Sequence, residues 1–110
     1  MAIGSDICQE LAAAVRQAAQ PEMIILFGSQ ARDDGNAESD VDLLIVQDRR
    51  SWKLASRRQE IGRIRRALPD VGHPIDVLLF TSAEVERFRS SQNHVIAEAL
   101  QHGRVLYERP

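Results

Sequence analysis

Three aspartates lie near the starts of two apolar segments, and their type and spacing indicate metal chemistry. Asp40 and Asp42 flank a valine at the start of DVDLLIV, and Asp76 lies near the start of HPIDVLLF. In a strand, residues two apart point to the same side, so Asp40 and Asp42 would project together with Cα atoms about 6 to 7 Å apart. A charge at the entrance of a buried strand is costly unless it is paired or coordinated. The pattern therefore predicts a shared partner for these carboxylates.

The predicted partner is a divalent cation. If the two strands are neighbours, Asp76 converges with Asp40 and Asp42, and a cation would offset their mutual repulsion. Carboxylate oxygens with no nearby cysteine favour Mg²⁺ or Mn²⁺ over zinc. Two such ions about 3.5 to 4 Å apart would clamp a phosphoryl transfer. The alternative interpretation is that each aspartate only caps an exposed strand end.

A glycine turn precedes the aspartates and suggests a phosphate site. Gly28 and Ser29 follow the apolar run EMIILF, where a strand gives way to an expected short helix in SQAR at residues 29–32. Backbone N–H groups at such a turn, with the Ser29 hydroxyl, could hold a phosphate. A GS pair alone is weak evidence. GS followed after ten residues by DxD is far more specific, because both halves of a metal and triphosphate site are present.

The apolar pattern predicts a small α/β or α+β domain in which a mixed sheet is covered by helices. Buried strands are expected in residues 22–28, 40–46 and 73–80, with a last short strand in residues 104–107. A first helix should carry Ile7 and Ala18 on its apolar side, with Ser5 or Asp6 as its N-cap. Further helices should begin at the capping box of Thr81 and Glu84 and end at Gly103.

A basic helix is expected between the second and third strands, ending before Pro69. Its predicted apolar face consists of Leu54, Ile61, Ile64 and Leu68. Residues 49–66 hold eight basic residues and a single acid, Glu60. The simplest interpretation is the solvated face of a helix, and the alternative is a surface for an acidic partner or for nucleotide phosphates.

Composition limits the class of protein. The chain has 110 residues, 44% of them hydrophobic and 27% charged, which favours one folded domain over residues 1–110 and disfavours disorder. A net charge of −2 gives no global attraction to nucleic acid. Cys8 is alone, and the first residues lack a signal-peptide pattern, so a cytoplasmic protein with no membrane contact is expected. Structural or surface roles are expected for the three histidines, His73, His94 and His102.

The stretch GSQARDDGNAESDVDLLIV resembles the signature of the DNA polymerase β-like nucleotidyltransferase superfamily, and most resembles its minimal nucleotidyltransferases, whose genes commonly accompany a HEPN partner. The IDVLLF segment and the tail VIAEALQHGRVLYE extend the similarity over about residues 22 to 108. The resemblance implies a nucleotidyltransferase fold with Mg²⁺ or Mn²⁺ and ATP as nucleotide donor. By this resemblance Gly28, Ser29, Arg32 and Ser39 would bind the nucleotide. Asp40, Asp42 and Asp76 would carry the metal ions and the catalysis.

The activity implied by the resemblance is transfer of AMP from ATP to a hydroxyl of a partner protein. The chain would then be the antitoxin of a HEPN-type ribonuclease toxin, in a hetero-oligomer or homo-oligomer. The second hypothesis is a binding module that neutralises its partner by contact alone. Asp33 favours it, because the family usually has glycine at this position and a further negative charge would weaken nucleotide binding. A small-molecule acceptor ranks third, and nucleic-acid binding through the basic helix ranks fourth. Nucleic acid is not expected to be a direct substrate.

Overall fold

Four helices and four strands make up the described part of the chain, which is residues 3–32 and 39–110 of a computed structural model. In chain order the elements are α1 Ser5–Ala18, β1 Met23–Phe27, β2 Val41–Val46, α2 Arg57–Ala67, β3 Ile75–Phe80, α3 Ser82–Phe88, α4 Val95–His102 and β4 Arg104–Glu108. A short 3-10 helix at Arg49–Ser51 lies between β2 and α2. None of the helices in these residues is long and apolar enough to cross a membrane.

The four strands form one mixed sheet in the order β3-β2-β1-β4. β2 and β3 are parallel, whereas β1 is antiparallel to both β2 and β4. α1 and α2 pack on one sheet face with Leu43 and Ile45, and α3 and α4 pack on the other with Leu44 and Val46. The predicted mixed sheet with covering helices is therefore confirmed.

The register places the site at one edge of the sheet. Asp42 lies opposite Asp76 on β3 and opposite Phe27 on β1. Because β1 runs antiparallel, its last residue and the following Gly28 lie at the edge where β2 and β3 begin. Asp42 and Leu44 are two residues apart on β2, so their side chains point to the same side of the sheet, the side covered by α3 and α4. Asp76 lies in register with Asp42 on β3, so its carboxylate is on the same side.

Local capping explains where two helices begin. Thr81 and Glu84 form the predicted capping box of α3. A second capping box, in which Ser56 and Gln59 bond reciprocally, starts α2 at Arg57. The prediction that Leu54 belongs to the apolar face of the basic helix is wrong, because Leu54 lies before this cap and is 37% exposed.

Two other local predictions need correction. The N-cap of α1 is Gly4, not Ser5 or Asp6. SQAR forms a turn after β1 and not a helix, with the N–H groups of Ala31 and Arg32 both donating to the Gly28 carbonyl. α4 does end at Gly103, where an added Cβ would meet the Ala99 carbonyl and the Ile25 side chain. Close packing on β1 thus requires glycine there.

Candidate active site

Asp42 and Asp76 form the centre of the site. They are register partners on parallel strands, and their side chains lie close enough for Asp76 to affect the titration of Asp42. Asp42 is half-buried, and Asp76 is exposed. The structure therefore brings together two of the three predicted carboxylates.

The pKa of Asp42 lies above its ordinary value. Burial is the largest cause, followed by the negative charge of Asp76, that of Asp40 and the hydrogen bond with Asp76. All four causes favour the protonated form, so a positive charge placed here would have the opposite effect. The local electrostatics thus fit a cation.

Asp40 is exposed and lies within electrostatic reach of Asp42. In the described residues no three carboxylate, imidazole or thiol groups are already gathered as a metal cluster. The donor set nevertheless fits a hard divalent ion, since every candidate ligand atom is a carboxylate oxygen and two of the side chains are already in contact. Asp40, Asp42 and Asp76 are therefore the residues that would hold such an ion.

Gly28 lies against the side chain of Asp42. Its φ is +76°, in the left-handed region, and a Cβ added to it would overlap Oδ2 of Asp42. Glycine is required here for two reasons, the backbone conformation and the space that the Asp42 carboxylate occupies. The sequence pattern predicts only a phosphate-binding role for Gly28. It does not predict the close packing of Gly28 against the Asp42 side chain.

The substitution Gly28→Ala should destabilise the protein by about 1 to 3 kcal/mol, because it combines a strained φ with a displaced Asp42 side chain. Asp42→Ala removes the obstructing carboxylate, so the double variant Gly28→Ala/Asp42→Ala should lose less stability than the sum of the single variants. Urea unfolding of the four proteins measures this coupling. Additive losses would show that the two residues do not compete for space.

The remaining predicted site residues lie around this turn. Ser29 is half-buried beside Gly28. Arg32 is exposed and forms a long ion pair with Glu98 of α4, with 3.7 Å between Nη1 and Oε1. The Ser39 carbonyl accepts a hydrogen bond from Gln30 Nε2 at 3.2 Å. Asp33, the residue that favours the hypothesis of a binding module, lies outside the described residues.

Two side chains near the site were not identified as site residues from the sequence. Gln30 is buried, and His73 contacts the Ser39 carbonyl through Nδ1 at 3.2 Å. His94, by contrast, caps α4 through Nδ1 and stacks on Phe88, a structural role. A glutamine within a turn and a histidine before a strand have no periodic signal, so their roles depend on the tertiary fold.

Known proteins share the fold of this chain, and one family model matches its sequence. The family model described as "Polymerase beta, Nucleotidyltransferase" matches residues 9–110. No match is found among curated proteins. One similar solved structure is a protein named as a nucleotidyltransferase from Sulfolobus solfataricus, with a TM-score of 0.63 and 19% identity, covering 96% of this chain and 80% of the other.

A second similar structure is a toxin-antitoxin complex with AMP-PNP. Its TM-score is 0.60 at 14% identity, and the match covers 97% of this chain and 75% of the other. At these identities the structures establish a shared fold. The family match extends over nearly the whole sequence and includes the glycine turn and all three aspartates. The chain therefore belongs to the polymerase β nucleotidyltransferase family.

Proposed function

We propose that this protein transfers AMP from ATP to a hydroxyl group of a partner protein and depends on a divalent cation. The observation that carries the proposal is the contact of Asp42 with Asp76, in register on adjacent strands, directly beside the positive-φ turn at Gly28. Family membership supports a nucleotidyl transfer, and the acidic donor set supports the choice of cation.

In this reaction the acceptor oxygen attacks the α-phosphorus of ATP. A new oxygen–phosphorus bond forms, the bond from the α-phosphorus to the β-phosphate oxygen breaks, and pyrophosphate leaves. Asp76 would accept the hydroxyl proton, because it is more exposed than Asp42 and so more accessible to an acceptor. A divalent cation held by Asp40, Asp42 and Asp76 would supply charge stabilisation for the pentacovalent phosphorus.

The turn after β1 would bind the triphosphate. Gly28 has no side chain, so phosphate oxygens could approach the backbone closely, and the Ser29 hydroxyl would add a donor. Arg32 would contribute positive charge at the rim, in competition with its ion pair to Glu98. Ser39 completes the nucleotide-binding set by its position just before Asp40.

We assign the partner as a HEPN-type ribonuclease toxin and this chain as its antitoxin. Two observations support this assignment. The glycine turn and aspartates resemble those of the minimal nucleotidyltransferases, and one protein of similar fold was solved as a toxin-antitoxin complex with AMP-PNP. In such a pair the partner itself would present the hydroxyl.

The test is the intact mass of the partner encoded beside this gene, after incubation with the protein, ATP and Mg²⁺. Addition of one or more AMP units, lost when EDTA replaces Mg²⁺, is the expected result. A stable complex with no added mass would instead favour the binding module, in which the partner is neutralised by contact. No complex and no added mass would reject both functions.

The basic helix offers a docking surface for such a partner. Arg58, Arg65 and Arg66 form an exposed arginine face on α2, and within the described chain their side chains make no hydrogen bond or ion pair. The one acid of this stretch, Glu60, is buried against Arg63 and does not offset their charge. This face therefore fits an acidic surface of the partner.

The arginine face also leads toward the candidate active site. β2 and β3 are parallel, so α2 must run back from the end of β2 to the start of β3. Consistently, Arg57 in its first turn donates to the Leu79 carbonyl near the far end of β3. Arg65 and Arg66, in the last turn, accordingly lie toward the edge that holds Asp76.

The double substitution Arg65→Glu/Arg66→Glu should raise the Kd of the partner complex about tenfold at low salt, and less at high salt, because screening weakens exposed charge pairs. Titration calorimetry at two salt concentrations measures this. Arg87→Glu/Arg89→Glu, at the end of α3 and its C-cap, makes the same change of charge on the opposite side of the sheet and should leave the Kd within about twofold. Equal effects of both pairs would show that only net charge matters.

A further inference from the structure

A single carbonyl oxygen connects the three segments that form the candidate site. The carbonyl of Ser39, immediately before Asp40, accepts a hydrogen bond from Gln30 Nε2 at 3.2 Å. His73 Nδ1, on the segment leading into β3, lies 3.2 Å from the same oxygen. A carbonyl oxygen has two lone pairs and can accept both bonds. For the second bond, Nδ1 must carry the hydrogen.

Gln30, Ser39 and His73 each belong to a different segment of the site. Gln30 lies in the turn that begins at Gly28, and His73 lies three residues before Asp76. Ser39 leads directly into Asp40 and Asp42. The carbonyl therefore joins the glycine turn, the first two aspartates and the third aspartate through two hydrogen bonds.

The Gln30 side chain is fixed at both ends of its amide. It is 1% exposed, and its Oε1 accepts a hydrogen bond at 2.9 Å from the Ile3 N–H. A buried amide with both a donor and an acceptor engaged has few alternative positions, because leaving either group unpaired is costly. The hydrogen bond from the fixed Gln30 amide thus restricts the position of the Ser39 carbonyl.

A neighbouring backbone bond reinforces the same junction. The Val41 N–H donates to the Pro74 carbonyl at 2.8 Å, directly beside the contact between Ser39 and His73. This bond is a backbone link between the start of β2 and the segment that leads into β3. Its stability reports how firmly these two segments are joined.

We propose that Gln30 and His73 are positioning residues that set the separation of Asp40 and Asp42 from the glycine turn and from Asp76. Their role in metal binding rests on the proposed function, whereas their role in holding the segments together does not. Active-site geometry tolerates displacements of only about 0.5 Å, so loosening this junction would degrade the site while the rest of the sheet stays folded.

His73 allows a matched pair of variants. His73→Leu removes the donor, whereas His73→Asn places an amide N–H close to the position of Nδ1 and should restore it. Gln30→Met provides a second test, because it keeps the length of the side chain and removes the donor to Ser39. His73 is only half-buried, so its variants should fold normally.

Hydrogen exchange of the Val41 amide tests the junction without metal or partner. His73→Leu and Gln30→Met should accelerate exchange at Val41 about tenfold or more, with little change at Ile45 further along β2, since local opening is separate from global unfolding. His73→Asn should return the rate to near that of the natural protein. Unchanged exchange in both donor-less variants, or failure of His73→Asn to restore protection, would overturn the proposal.

Mn²⁺ binding, followed by paramagnetic resonance of the free ion, tests the link to function. His73→Leu should weaken binding about tenfold, in the range seen when groups behind metal ligands are removed, and His73→Asn should restore it. If the natural protein binds no Mn²⁺ while Val41 exchange responds as expected, the proposed metal site is rejected and the positioning role stands. If Mn²⁺ binds equally to all variants, Gln30 and His73 do not position the metal ligands.

Discussion

Asp42→Asn is expected to lower the rate of AMP transfer by at least about 10²- to 10³-fold, the loss typical when one charge-stabilising group is removed from an active site. Asp42 is the aspartate most enclosed by the site, since it contacts Asp76 and fills the space beside Gly28. Asparagine keeps this shape but lacks the charge. The rate is measured from the mass of the partner under single-turnover conditions with saturating ATP and Mg²⁺.

The control for this substitution is Asp6→Asn, which removes an exposed carboxylate from the first turn of α1. Its transfer rate should be unchanged. If Asp42→Asn retained more than about a tenth of the natural rate, Asp42 would not be a metal ligand in the reaction. The proposed chemistry would then have to be abandoned.

The same variant has a second expected result, in the pH dependence of stability without metal. The folded-state pKa of Asp42 is raised above its ordinary value of 3.8, so the folded chain binds this proton more tightly than the unfolded chain. The contribution of Asp42 to stability is therefore present below pH 3.8 and is lost as the pH rises through the raised pKa. Asp42→Asn should remove this dependence, and should be at least as stable as the natural protein near pH 7.

Much of the site could be predicted from the sequence, because its parts obey local rules. Strand periodicity predicts that Asp40 and Asp42 project to one side of a strand, but β2 begins at Val41, so Asp40 lies just before the strand. The glycine turn marks the end of β1. The contact between Asp42 and Asp76 could be predicted only on the condition that β2 and β3 are neighbours. Strand order is a property of the whole fold. In the structure β2 and β3 are parallel neighbours, which fulfils this condition.

Other contacts could not be predicted because they join distant positions without a periodic pattern. Gln30 and Ser39 are nine residues apart, and Ser39 and His73 are 34 residues apart. No rule of residue type predicts that one carbonyl accepts from both. The residue types of SQAR are compatible with a short helix. The chain instead leaves β1 through a turn with a positive φ at Gly28.

Glu60 shows how a charge count can mislead. A single acid among eight basic residues favours a place on a solvated helix face, but the structure buries Glu60 completely. The buried acid accepts five hydrogen bonds, two of them from Arg63 and one each from Gln47 Nε2, Lys53 N and Leu54 N. Arg63 in turn donates to the Ala18 carbonyl at the end of α1. This network joins α2 to the end of α1 and to the segment that follows β2.

Glu60→Ala is therefore expected to destabilise the protein by about 3 to 5 kcal/mol, the range found when one partner of a buried ion pair is removed. That loss is a large part of the roughly 5 to 15 kcal/mol available to a domain of this kind. Urea and thermal unfolding measure it directly. The expected fall in Tm is more than about 10 °C, given about 4 to 8 °C for each kcal/mol in a chain of this size.

Glu86→Ala is the matched control, because Glu86 also pairs with an arginine three residues away, Arg89, but on the exposed surface of α3. Exposed pairs contribute little, so the control should change stability by less than about 1 kcal/mol. Equal losses for the two variants would show that burial of Glu60 adds nothing to its ion pair.

The pH dependence separates the charge of Glu60 from its packing. The hydrogen bonds from Arg63 are the main cause that lowers the pKa of Glu60 below its ordinary value of 4.5. The stabilisation from the carboxylate is thus present above pH 4.5 and is lost as the pH falls through the lowered pKa. The difference in unfolding free energy between the natural protein and Glu60→Ala should narrow in that acidic range, because protonation removes the charge that Arg63 pairs with. A difference that stays constant with pH would mean that packing alone fixes α2 in place.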